Sequence, residues 1–140
     1  MKAITLAVAA VAVTGCLTLS GCSSKAVAAE CGKQTSNQQP VEIRVSSGPR
    51  VSSDECVVLP GSRIAWVNDQ GNDVQFKLRF KAANPGGQGA PLKVPSQMQN
   101  GRFVVNITAM QLPPNERERR FEYDIVANGT PLDPAIIIRK

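Results

Sequence analysis

The chain holds no histidine among its 140 residues. That removes the Ser-His-Asp and Cys-His nucleophile systems, together with the commonest ligand for zinc and copper. What remains are short constellations of other polar groups. Ser23, Ser24 and Lys25 are residue types that can act as nucleophile and base, but they stand in a polar stretch with no fold to hold them, so catalysis is not expected there. Asp69 and Asp73, with Asn68 and Asn72, offer oxygens to a calcium ion. Their spacing is not that of a known calcium loop, and the run reads as a polar turn. Glu122 and Asp124 lie two apart, so on a strand both carboxylates point the same way and could share acid and base work. Arg119 and Arg120 beside them favour an exposed sheet face instead. The expectation is a protein without catalytic residues, metal or cofactor. The best binding candidates are Lys77, Arg79 and Lys81, whose spacing of two puts three cations on one face of a strand.

Lys2 precedes an apolar and small-residue stretch from Ala3 to Leu19 that contains no acidic residue, the composition of a secretion leader that takes no part in the fold. The stretch runs into Leu19, Ser20, Gly21 and Cys22, which resembles the lipobox of bacterial lipoproteins. The resemblance implies cleavage before Cys22, a diacylglycerol on its sulfur and a new N-terminus there. A looser match ends at Cys16, but Leu17, Thr18 and Leu19 follow it, whereas Ser23, Ser24 and Lys25 follow Cys22. The polar exit favours Cys22. As a retained membrane helix, Ala3 to Leu19 would be short of the ~20 residues a bilayer requires. Two or three acyl chains, at ~0.8 kcal/mol per buried methylene, hold a protein on a membrane where one does not. The expected product is therefore anchored by lipid and does not span. Ser23 rather than Asp after the cysteine implies, by the sorting rule of Gram-negative lipoproteins, the outer membrane, with the domain facing the periplasm.

With Cys16 in the leader and Cys22 lipidated, Cys31 and Cys56 are left. An even pair in an oxidising compartment reads as a disulfide, and closing a loop of this length stabilises a fold by roughly 3 kcal/mol in the chain-entropy account. Two buried free thiols are the alternative. Without Lys2 the balance is 15 basic against 11 acidic residues, a net charge of +4. An excess of this size serves solubility, and it also allows weak attraction to an anionic envelope polymer or to an acidic protein. Export excludes nucleic acid as a partner.

The elements that must position these groups follow from composition and period. Residues 1–21 are the leader, 22–40 the lipidated N-terminus and a flexible tether, and 41–140 one domain of ordinary size. The tether, rich in Ala, Ser, Gln and Lys, reaches ~60 Å if fully extended, with Cys31 pinning its second half to the domain. Strand signals occupy Val41 to Val45, Cys56 to Leu59, Arg63 to Val67, Val74 to Lys81, Phe103 to Ala109, Arg120 to Val126 and Ile136 to Ile138, each alternating or apolar and bounded by turn residues. The clearest is the fourth, with Val74, Phe76, Leu78 and Phe80 inward and the basic residues outward. Ala82 to Gly101, with its Pro and Gly, is too long for a tight connection, and long loops in small domains serve function or move. Asn115 to Arg120 reads as a solvated loop. Trp66, the single tryptophan, reads as core. About seven strands and no helix predict an all-β, Greek-key β-sandwich.

Gly61, Ser62, Arg63, Ile64, Ala65, Trp66, Val67 and Asn68 resemble the cupredoxin pattern, in which a Gly turn leads into an alternating strand ending in an aromatic residue, Val and Asn. Phe121 to Asp124, then Asn128, Gly129 and the Ile-rich strand, are similar to that family's last two strands. The same strand grammar also suits an immunoglobulin-like sandwich. Blue-copper members require two His, a Cys and usually a Met. Here Asp69 to Gln75 stands where the first His belongs, and Glu122, Tyr123 and Asp124 supply no Cys. The resemblance therefore implies a fold without its copper. The function expected is that of a monomeric binding or assembly module for another envelope component, acting through Lys77, Arg79, Lys81 and the Ala82 to Gly101 loop. The alternative is an inhibitor or immunity protein against an envelope-attacking enzyme.

Overall fold

A backbone alternating between apolar and polar residues has no use for a helix, and the computed structural model contains none among the residues it describes, which are 29–48, 50–71, 73–127 and 131–140. The leader, Cys22 and the start of the tether lie outside them, as does the Asn128 and Gly129 turn. The described residues form eleven strands: β1 (Ala29–Glu30), β2 (Val41–Ser46), β3 (Arg50–Val51), β4 (Glu55–Val58), β5 (Arg63–Asn68), β6 (Lys77–Phe80), β7 (Lys93–Pro95), β8 (Gln97–Gln99), β9 (Arg102–Thr108), β10 (Glu118–Val126) and β11 (Ala135–Arg139). The seven strands expected from periodicity are all present, and the four additional ones, β1, β3, β7 and β8, are only two or three residues long.

Two mixed sheets make the all-β sandwich. The first has the order β1-β2-β5-β9-β8, with β3 also on β2; the second has the order β4-β11-β10-β6-β7. β2 lies parallel to β5 and β4 parallel to β11, so the chain repeatedly leaves one sheet for the other before it pairs again. Between the sheets the inward residues of every long strand meet. Ile43, Ile64, Trp66, Leu78, Tyr123, Ile125, Ile136 and Ile138 are fully buried. Trp66 stands edge-on to Tyr123, ring centres 5.6 Å apart, and its indole N–H donates to the Tyr123 hydroxyl at 2.9 Å. The buried polar tips of two large rings thus satisfy each other. Burial raises the Tyr123 phenol well above its ordinary value.

Both long edges are closed by a segment that passes from one sheet to the other. On one side β1 pairs with the start of β2, and Lys33 then bridges Val57 of β4, with Val57 N–H donating to Gly32 O at 3.1 Å and Gln34 N–H to Val57 O at 3.2 Å. Cys31 and Cys56 stand at disulfide distance across this seam, Cα to Cα 5.4 Å. On the other side β7 pairs with β6 and β8 with β9, and Ser96 is the single residue between them. Ser96 N–H donates to Phe76 O at 2.8 Å, and its buried hydroxyl accepts from Phe76 N–H at 3.0 Å. This crossing explains why regular β6 pairing starts at Lys77 rather than at Val74, as the alternation suggests: Phe76 bonds to the crossing residue instead of to a ladder. Among the described residues little unpaired edge is left to recruit another chain.

The second half of the expected tether lies against the domain. Gln34 is buried, and its amide N–H groups donate to Ser36 O at 2.6 Å and Gln39 O at 2.5 Å, while its Oε1 accepts from Leu59 N–H at 3.1 Å. The described chain starts at Ala29 beside Val41, at the end of the sandwich where β2 begins. The turns after β2 and β5 and the β8–β9 turn at Asn100 and Gly101 lie at the other, far end, ~20 Å along β2.

Candidate partner-binding surface

The outer face of the second sheet takes its chemistry from register. β10 opposes β6 as Tyr123 to Phe80, Asp124 to Arg79, Ile125 to Leu78 and Val126 to Lys77, and β6 opposes β7 as Arg79 to Lys93 and Lys77 to Pro95. One outward row therefore reads Asp124, Arg79, Lys93, and the next reads Val126, Lys77, Pro95. In the first, Arg79 donates through Nε and Nη2 to Asp124 Oδ2 at 2.9 and 2.6 Å. Lys81, just beyond β6, pairs with Asp133 at 2.8 Å and reaches Glu122 at 4.0 Å, and the Asp133 hydrogen bond holds the Lys81 ammonium above its ordinary value. Further across the face Arg120 meets Glu55 at 2.5 Å and Arg139 meets Glu118 at 2.5 Å.

The three cations singled out by spacing do share one exposed face, but the structure divides them. Arg79 and Lys81 are held by carboxylates of the same domain. Lys77 and Lys93 have no ion pair among the described residues. Val126 and Pro95 flank Lys77, and with Phe76 they border a depression of about 300 Å³. Phe76 also forms part of a second cavity, of about 170 Å³, which opens at the far end between the sheets. Its walls are Val45, Val74, Phe76 and Ala127 together with the buried Asn68, and Ser46, Ser47 and Gly48 are at its rim.

Of the groups weighed as calcium ligands, Asp69 and Asn68 are used locally. Asp69 Oδ2 accepts from Ser46 Oγ at 2.6 Å, and Asn68 Nδ2 donates to Val74 O at 2.6 Å, drawing in the run where the cupredoxin pattern would place a histidine. Asn72 lies outside the described residues. Among the described residues no group of three or more His, Cys, Asp or Glu is gathered as a metal would need. Glu122 and Asp124 do point out together, each turned to a cation as above.

The Ala82 to Gly101 segment is tied down at its centre. Asn84, buried, donates through Nδ2 to Pro91 O at 2.7 Å and accepts through Oδ1 from Gly86 N–H at 2.8 Å, and Met110 N–H donates to Pro85 O at 2.7 Å. Its later part supplies β7 and β8, and with them the exposed Leu92 and Met98. Missing from the sequence reading were Val126, Pro95 and the cavity walls. An outward Val at a strand end and an inward one share the same residue type, and only register separates them. No model of a known protein family matches the chain, and no curated protein matches it.

Proposed function

We propose that the chain is a non-catalytic envelope lipoprotein, anchored through Cys22 to the outer membrane, whose domain is a binding or assembly module for another envelope protein. The observation that carries the reading is the contrast on the second sheet. Arg79, Lys81, Arg120 and Arg139 each meet a carboxylate, while Lys77 and Lys93 meet none among the described residues, and Lys77 sits between the apolar Val126 and Pro95. An ammonium beside exposed apolar surface is suited to a partner that brings an acidic group with an apolar one. The anchor supports the same direction. The described chain starts at one end of the sandwich, and both depressions reach the other.

The inhibitor or immunity reading stays in view because the patch is compact, which suits one tight contact with an attacking enzyme. The crosslinked partner's own chemistry separates the two. A photo-crosslinking residue in place of Val126, in the full lipidated protein in intact envelopes, is expected to capture one dominant protein. Capture is expected to fall with Lys77→Glu and with the unanchored Cys22→Ser form. Recovery of nothing above the Cys22→Ser control overturns both protein-partner readings. Capture of an anionic polymer instead, lost steeply with added salt, replaces them with polymer binding. We also infer that the domain is a cupredoxin-like sandwich without copper, a reading supported by Trp66, Val67 and Asn68 ending β5 beside a loop without a histidine.

A further inference from the structure

The two depressions share Phe76 as a lining residue, and Phe76 and Lys77 are successive in the chain. Phe76 is buried and turns into the far-end cavity, whereas Lys77 turns outward beside Val126 and Pro95. The cavity, at about 170 Å³, is slightly larger than the ~150 Å³ apolar cavity that admits benzene in an engineered protein. That is room for one branched or aromatic side chain. Apart from Asn68, whose amide N–H is already given to Val74 O, its walls are aliphatic and aromatic, so a polar occupant would lose hydrogen bonds to water that only Asn68 and the rim could replace. A chain crossing the rim of the sheet here meets a mainly apolar hole on the inside and, on the outside, an ammonium with no ion pair among the described residues.

We propose that the far-end cavity is the anchor site for a single apolar side chain, of the size of Leu, Ile, Met or Phe, in an extended acidic segment of the partner protein. An Asp or Glu within three positions of that side chain reaches Lys77. This inference rests on the binding-module reading above and names the partner's recognition element. The specificity lies in the pair: the cavity selects size, and Lys77, the one cation of its row, selects charge. Backbone pairing does not substitute for it, because both long edges of the sandwich are closed by the crossing segments at Lys33 and Ser96, which leaves no long open edge among the described residues for an added strand.

A random heptapeptide library displayed on phage and selected on the full lipidated protein in detergent tests this directly. The expected consensus places Asp or Glu within three positions of a Leu, Ile, Met or Phe. Ala127→Leu, which fills the cavity, is expected to weaken a selected peptide about tenfold or more while leaving the melting temperature equal or higher. Val74→Phe plugs the cavity from another lining residue and checks that the effect is occupancy. Lys77→Glu is expected to weaken the same peptide several-fold at low ionic strength and less at high. A consensus without an acidic residue, or peptides that bind the Ala127→Leu and Val74→Phe proteins unchanged, overturns the proposal. The two readings fail differently. A partner crosslinked at position 126 and still captured by Ala127→Leu sinks the cavity and keeps the binding module, whereas no partner in the envelope sinks both.

Discussion

Reduction of the Cys31–Cys56 pair is the perturbation whose size follows most directly from the fold. The two cysteines are 25 apart in sequence and close the seam where residues 29–34 pass from β2 to β4. In the chain-entropy account a loop of this length removes ~12 cal/mol/K from the unfolded ensemble, or ~3.5 kcal/mol at room temperature. With ~2.1 cal/mol/K of unfolding entropy per residue, over a domain of about 110 residues, that corresponds to a fall of ~15 °C in melting temperature. The comparison is between oxidised and reduced protein of the same sequence, so no side chain is removed and no cavity is made. On the proposed processing Cys22 carries lipid and Cys16 is gone, so only this pair responds. Thermal unfolding followed by the fluorescence of Trp66, buried at the centre of the core, reads the global transition. Amide exchange at Gln34 and Val57, which bond across the seam, reads the local one. The reduced protein is expected to melt ~15 °C lower, with exchange at Gln34 and Val57 accelerated well before that of Ile64 or Tyr123. A loss under ~5 °C with unchanged exchange at the seam refutes the idea that the bond closes the sandwich. Reduction also bares the outer edges of β2 and β4, so concentration-dependent dimerisation of the reduced form is expected by strand pairing.

Tyr123 gives a pH dependence. Its phenol is raised in the folded state by burial, so the folded chain keeps that proton where the unfolded one, titrating near pH 10, gives it up. Stability is therefore full below about pH 10 and falls as pH rises above it. Phenolate absorbance of this single tyrosine should appear together with unfolding; a titration with the fold intact refutes the assignment. Tyr123→Phe leaves the indole N–H of Trp66 without its acceptor and is expected to cost ~1–3 kcal/mol, measured by denaturant unfolding. Gly61 and Gly48 both have φ of +80°, and an added Cβ at Gly61 would stand 2.9 Å from Gln111 Nε2 while at Gly48 it meets nothing within 4 Å. Gly48→Ala should cost ~1–2 kcal/mol from backbone strain alone, and Gly61→Ala at least as much, the excess vanishing in a Gln111→Ala background. Asn84→Ala removes both side-chain bonds that hold the 84–91 segment; exchange at Gly86 should rise, with a stability loss of ~1–3 kcal/mol by the same denaturant measurement.

The strands that periodicity finds are those that bury one face. In β2, inward Val41, Ile43 and Val45 alternate with outward Glu42 and Arg44, and the sequence carries this locally. The four short strands are defined by their partners. β7 and β8 are three residues each, with Pro95 ending β7 and Ser96 alone between them, a composition that reads as loop until Phe76 is placed beside it. Gln34 illustrates the same limit: in a run of polar residues nothing marks one glutamine as buried, since its partners are the carbonyls of Ser36 and Gln39 and the amide of Leu59. At the binding face, the outward direction of Lys77, Arg79 and Lys81 is legible from a spacing of two. Which of them is neutralised is not, because the carboxylates come from Asp124 and Asp133 on the far side of a long excursion of chain.

The docking of residues 29–40 also changes what an anchor at Cys22 would permit. A tether running to Pro40 reaches ~60 Å from the membrane, but with Ala29 already paired to Val41 the chain from Cys22 to Ala29 spans at most ~25 Å. The far end then stands ~20 Å beyond the point of attachment, along the strands. On the proposed anchoring, Lys77 and the cavity thus sweep a shell within about 45 Å of the bilayer, facing away from it. A partner segment must come into that shell, from a membrane neighbour or from a component reaching across the periplasm. Lengthening the chain between Cys22 and Ala29 by a flexible Gly/Ser insert of about twenty residues moves the patch outward and lowers its effective concentration near a membrane neighbour. Crosslinking from position 126 should fall for a partner in the same membrane and rise for one that reaches across, and a capture that ignores tether length excludes the geometry.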